Sequence, residues 1–159
     1  MTQAEFELSI ERYIDAPPEA VFKVWTERLE EWWAPKPWTT KLIELDLRAG
    51  GRSAMIMTGP DGATSPMEGV ILEVVPNKAI VFTNAFSVGW IPQTPFMVGF
   101  FTFTPDGKGT LYRAGSRHWD ETAHKQHEAM GFKQGWTMVA GQLAELSEAE
   151  ARRSAPSNR

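Results

Sequence analysis

The stretch Phe132-Lys133-Gln134-Gly135-Trp136-Thr137-Met138-Val139-Ala140-Gly141-Gln142-Leu143-Ala144-Glu145-Leu146 sets Phe132, Trp136, Val139, Leu143 and Leu146 at intervals of four, three, four and three. Such intervals stack apolar side chains into one stripe along a helix. They predict an amphipathic helix of about twenty residues, the dominant one of the chain, with Asp120 upstream as an N-cap and Glu121 in the first turn. Glycines at 131, 135 and 141 each cost a helix on the order of 1 kcal/mol relative to alanine, so a kink or a close backbone approach is expected near Gly131.

Working outward from that helix, residues 41–119 read as strands separated by turn chemistry. Ile43, Leu45 and Leu47 alternate with Glu44 and Asp46, Ala49-Gly50-Gly51 turns the chain, and Met55 and Met57 sit in the return strand. Further strands are expected from Val70 to Val75, Ile80 to Thr83, Val98 to Thr104 and Leu111 to His118, with turns at Gly59-Pro60-Asp61-Gly62, Pro76-Asn77-Lys78 and Pro105-Asp106-Gly107. Connections this short join antiparallel neighbours. The exception, Asn84 to Pro95, is an aromatic and proline-bearing loop long enough to act as a lid. At the amino end, Phe6, Leu8, Ile10 and Ile14 share one parity and predict a strand over residues 5–14, with Glu7, Ser9 and Glu11 on the polar side. Pro17-Pro18 then opens a short helix carrying Val21, Phe22 and Trp25 to about Glu27, and a further turn or two holds Trp32 and Trp33 before Pro35 and Pro37.

The class is therefore α+β: a curved antiparallel sheet of about six to seven strands wrapped around a long carboxy-terminal helix, with two short helices after strand one. A straight helix on a curved sheet leaves room for an internal cavity. With 159 residues, no internal repeat and no linker, the chain is expected to form one domain over residues 5–150 and a polar tail over 151–159. Sixteen Lys and Arg against twenty Asp and Glu, scattered along the chain, argue against a nucleic-acid binder. No cysteine is present, which removes disulfides and thiol chemistry, and no signal-peptide or membrane-spanning run is evident, so a soluble cytoplasmic protein is expected.

Several blocks also carry a resemblance: Arg12-Tyr13-Ile14-Asp15-Ala16-Pro17, Glu31-Trp32-Trp33-Ala34-Pro35, Asp46-Leu47-Arg48-Ala49-Gly50-Gly51, Glu73-Val74-Val75-Pro76, and His127-Glu128-Ala129-Met130-Gly131-Phe132 followed by Gly135-Trp136. In this order, over about residues 5–147, they resemble the START-like, birch-pollen-allergen-like (SRPBCC) superfamily, in the branch named for activator of heat-shock-protein-90 ATPase homologues, also labelled polyketide cyclase-like. The resemblance implies a helix-grip fold around a pocket for an apolar small molecule. It implies no single reaction, because the superfamily includes lipid carriers, hormone receptors, cyclases and chaperone cofactors.

Parity supplies the candidate site. Tyr112, Ala114, Ser116 and His118 share one face of their strand, offering three polar tips on an apolar wall, while Leu111, Arg113, Arg117 and Trp119 take the other. The expected cavity residues are Phe86, Trp90, Met97, Phe101, Tyr112, Ser116, His118 and Trp136, although residues 96–104 have apolar groups on both parities. Among seven tryptophans, Trp32, Trp33, Trp38 and Trp90 fall near helix ends or loops, where together they would form an aromatic gate at one mouth. His124-x-x-His127 with His118 has a spacing that metal sites use, yet no metalloenzyme signature accompanies it, and histidines on a polar helix face are usually solvated. Asp46 and Arg48 read as structural charges beside the Gly50-Gly51 turn. No metal, cofactor or catalytic residue is assigned. The expected activity is binding of a hydrophobic small molecule without turnover by a monomer or homodimer. The alternatives are a stress-response co-chaperone acting on a heat-shock-protein-90-type ATPase, and a cyclase or hydrolase using Tyr112 or His118 in the same pocket.

Overall fold

Period-two patterning folds most of the chain between its first and last helices into one antiparallel sheet. The computed structural model describes residues 5–154 and contains β1 (Glu7–Ile14), α1 (Pro18–Glu27), α2 (Leu29–Trp32), β2 (Thr39–Leu45), β3 (Arg52–Thr58), β4 (Thr64–Val75), β5 (Ala79–Thr83), β6 (Phe86–Ser87), β7 (Ile91–Pro92), β8 (Met97–Asp106), β9 (Gly109–His118), α3 (Glu121–Ala129) and α4 (Phe132–Ser154). Seven strands form one sheet in the order β1-β9-β8-β5-β4-β3-β2, and β6 pairs with β7 in a separate hairpin. This is the α+β helix-grip architecture, with α4 lying against the sheet. The carboxy-terminal helix runs to Ser154, past the boundary expected at residue 150, and residues 155–159 lie outside the described residues.

Two helices, rather than one kinked helix, follow β9. Asp120 caps α3 by accepting from the Ala123 N–H at 2.8 Å, as the sequence predicts, and α3 ends at Ala129. Gly131 then adopts φ 88°, a conformation that side chains with a Cβ rarely take, and redirects the chain into α4. Within α4, Leu143 and Ala144 are fully buried and join Val21, Val24 and Trp25 of α1 and Ile10 and Ile14 of β1 in the core. The Gln142 amide donates to the carbonyls of Trp32 and Ala34 and accepts from the Lys36 N–H, which latches the turn after α2 onto the helix.

The sheet departs from simple alternation at identifiable places. A bulge between Leu42 and Glu44 of β2 turns Ile43 outward, 48% exposed, while Leu42 and Leu45 both pack against the core; the expected inward placement of Ile43 is corrected accordingly. The fourth strand begins at Thr64, six residues before the Val70 start expected from its apolar run. Pro66 is tolerated there because residues 64–69 pair only with β3, so the missing N–H faces no neighbouring strand. Glycine admits close packing on both faces: the Phe82 ring lies across its cross-strand partner Gly99, and the Phe100 ring across its partner Gly115.

The convex face carries a device hidden in the polar parity of β1. Glu7 is 7% exposed; its carboxylate accepts from Arg113 and, at 2.8 Å, from Arg117. Both guanidinium groups lie over the Phe100 ring, 4.7 and 4.3 Å from its centroid. These contacts join β1, β9 and β8 on the side away from α4.

Because Leu143 seats the helix on the core, Leu143→Ala is expected to lower the unfolding free energy by about 2–5 kcal/mol through lost transfer energy and the cavity left behind. Urea denaturation followed by tryptophan fluorescence measures this, and a loss below about half a kcal/mol would show that the residue does not carry the helix–sheet contact.

Candidate functional site

Where the first turns of α4 stand off from the sheet, a cavity of about 600 Å³ remains. Its floor is the concave face of β3, β4, β5, β8 and β9, and its roof is the α3–α4 junction with α4 as far as Ala140. The turn after α2 and the residues before β8 close two sides. Phe101 of β8 is central, nearly parallel to both Phe82 and Trp136, with ring centroids 6.0 and 5.9 Å apart at 9° and 3°. Trp33 meets Phe101 edge-on at 5.8 Å. Met55, Met57, Met67, Met97 and Met130 add thioethers to this wall, five of the chain's seven methionines. Met130, 70% exposed, and the exposed Pro66 and Thr94 also line the cavity, so its opening is bordered by the α3–α4 junction, β4 and the residues before β8.

The wall carries little charge. Among the described residues no Lys or Arg lines it, and its one carboxylate, Glu68, is engaged by Arg52 through two hydrogen bonds of 2.9 Å. That pairing holds Glu68 below the usual carboxylate range. At the other side, the Asn84 Oδ1 accepts from the Phe96 and Met97 N–H groups, and the Gln93 amide donates to the Glu68 and Asn84 carbonyls, fixing the residues that lead into β8.

Of the residues expected to line the cavity, Met97, Phe101, Tyr112 and Trp136 do so. Phe86 and Trp90 do not. Residues 84–95 fold back on themselves as the β6–β7 hairpin, in which Trp90 is 56% exposed, packs edge-on against Phe86 and rests on the Gly50 backbone. Only the stem of this segment, at Asn84, Gln93 and Thr94, reaches the cavity, so the expected lid is not there. The tryptophans likewise do not gather at one mouth: Trp32 and Trp33 line the cavity, Trp38 packs on Gly59 and Trp90 on Gly50. Ser116 and His118 face the concave side as their parity predicts but lie one layer behind the wall.

His127 fills that layer. It is 7% exposed, held by the rings of Phe96, Phe132 and Trp136 at 5.0, 4.9 and 6.0 Å, and it lines the cavity. The solvated position expected for it is corrected: α3 docks on the end of β9 and turns this side chain inward, which the polar sequence of the helix does not signal. Its Nδ1 lies 2.9 Å from His118 Nε2, whose own Nδ1 lies 2.9 Å from the Phe6 carbonyl. The Ser116 hydroxyl is 2.9 Å from Met97 Sδ and 3.2 Å from His118 Nε2. Burial, reinforced by His118 and His124, pushes His127 down to about 4, and burial also lowers His118 against the opposing hydrogen bond from Phe6. Both nitrogens of His118 thus have partners within the protein. Tyr112 is kept protonated by its burial far above the ordinary phenol range. The Trp25 indole N–H acts weakly in the opposite sense but remains without hydrogen-bond geometry to any partner.

Comparison with known proteins agrees with this architecture. A family model described as Activator of Hsp90 ATPase homolog 1-like protein matches residues 15–148. A crystal structure from Nitrosomonas europaea is similar at 34% identity and a TM-score of 0.88, covering 94% of this chain and 98% of that one. Structures from Chromobacterium violaceum, at 24% identity, TM-score 0.74 and coverage of 89% and 97%, and from Mycobacterium smegmatis, at 23%, 0.71 and coverage of 97% and 93%, share the fold. No functionally curated protein matches the chain.

The depressed His127 value makes a pH prediction. The unfolded chain, with an ordinary imidazole near 6.5, binds more protons than the folded one between about 6.5 and about 4, so this contribution to stability is complete above that window and is lost as the pH falls through it. Urea melts at stepped pH are expected to give a shallower decline for His127→Gln than for the native chain, and parallel declines would show that His127 is not buried in its neutral form.

Proposed function

The chain belongs to the Activator of Hsp90 ATPase homolog 1-like family, and on that premise we propose that it binds a hydrophobic small molecule between the sheet and α4, holding it without chemical turnover. The observation that supports this reading is the cavity of about 600 Å³, walled by aromatic rings and methionines, a size and character suited to a small organic ligand. Methionine side chains are unbranched and polarizable, so such a wall adapts to ligands of differing outline. Turnover is disfavoured because the hydroxyl that meets an imidazole, that of Ser116 beside His118, is fully buried behind the wall and donates to the Met97 sulfur, away from a bound molecule.

A second reading has its own observation. Val88, Trp90 and Ile91, 48, 56 and 60% exposed, form an apolar tip on the β6–β7 hairpin, and in the co-chaperone alternative this tip would meet a heat-shock-protein-90-type ATPase.

Titration with an environment-sensitive apolar dye separates the two. Saturable binding is expected, weakened about tenfold or more by Trp136→Ala, since a buried aromatic contact is worth roughly 1.4 kcal/mol or above, and left unchanged by Trp90→Ala. Absence of saturable binding, together with ATPase stimulation that Trp90→Ala removes, would put the second reading in its place.

A further inference from the structure

His127 is the cavity side chain whose proton is placed from outside the cavity. The Phe6 carbonyl can only accept, so His118 Nδ1, 2.9 Å away, carries the proton of that ring. His118 is neutral, because burial disfavours its charged form, and its Nε2 is therefore a bare lone pair. That lone pair faces His127 Nδ1 at 2.9 Å. Two lone pairs at this distance would repel, so His127 Nδ1 holds the proton and donates it to the bond. The second nitrogen of His127, Nε2, is left without a proton. Among the described residues no hydrogen bond meets it, and it is not one of the sealed unpartnered atoms, which are Trp25 Nε1, Trp32 Nε1 and Ser147 Oγ.

The geometry points to His127 Nε2 as the acceptor that selects the ligand, so that this cavity takes a neutral apolar molecule bearing a hydroxyl or N–H donor in preference to the matching ether or carboxylate. The inference rests on the cavity-binding reading above and narrows it to a chemical class. An ether covers the nitrogen without donating to it, leaving a desolvated acceptor unpaired. A carboxylate would confront that lone pair in a wall where no Lys or Arg stands among the described residues and where Glu68 is the charged neighbour. The preference is durable, because giving Nε2 a proton at neutral pH means breaking the bond to His118 or charging a buried ring.

Calorimetric titration of the full chain at neutral pH with β-naphthol, its methyl ether and the matching naphthoate tests this. β-Naphthol is expected to bind about tenfold or more tightly than either analogue, and His127→Phe to bring naphthol and its methyl ether to equal affinity. Nitrogen NMR of the native chain gives an independent readout that needs no variant to fold: His127 should show a protonated Nδ1 and an unprotonated Nε2. An Nε2–H tautomer, or equal affinity for naphthol and its ether in the native chain, overturns the inference while leaving cavity binding intact. Failure of all three probes and of the apolar dye to bind overturns the cavity reading and the inference with it.

Discussion

Everything in this molecule depends on how α4 is seated. Its middle turns place Leu143 and Ala144 in the core beside Val21, Val24, Ile10 and Ile14, tying the last helix to the first helix and to the edge strand β1. A straight rod anchored in that way against a curved sheet diverges from it elsewhere. The divergence occurs over the first turns, where Phe132, Trp136 and Val139 line the cavity and Trp136 lies over Phe101 of β8. The same apolar stripe thus does two things along its length: its later positions close the core, and its earlier ones line a space. Parallel rings at Trp136, Phe101 and Phe82 set the spacing between roof and floor.

Most of the frame is legible in the sequence because it follows from periodicity. The four-three spacing from Phe132 to Leu146 announces α4, and the parity of Tyr112, Ala114, Ser116 and His118 assigns the concave face of β9 correctly. The ambiguity along 96–104 is resolved by pairing: Phe101 faces the cavity, while Phe100 lies under Arg113 and Arg117 on the other side. What escapes periodicity is whatever depends on a distant partner. The bulge at Ile43 and the proline-containing start of β4 break alternation for reasons that exist only once neighbouring strands are in place. Glu7 reads as one more exposed carboxylate until β9 brings two arginines to it.

The site shows the same division. Met97, Phe101, Tyr112 and Trp136 lie on regular elements, and their faces follow from spacing alone. Loop length alone suggests that Phe86 and Trp90 close the cavity, but a β6–β7 hairpin turns that segment on itself, with Gly89 and Trp90 at φ 88° and 62°. His127 is illegible for the opposite reason: α3 is a polar helix whose sequence contains no sign that one of its faces will dock on β9. Its environment arises from tertiary contact with Phe96, Phe132 and His118, and only the pairing of the two imidazoles gives it a defined chemical character.

The methionine wall has a consequence of another kind. In a chain with no cysteine, thioethers are the sulfur open to oxidation, and five of them surround one cavity. Conversion to sulfoxide replaces a pliable apolar side chain by a polar, chiral one, and methionine sulfoxide reductases reverse it. Met130, at the opening and 70% exposed, meets a diffusing oxidant first, whereas Met55 and Met97 are each 6% exposed and shielded. Among these five, oxidation would therefore begin at the cavity entrance and alter what can enter before it reaches the buried thioethers of the core.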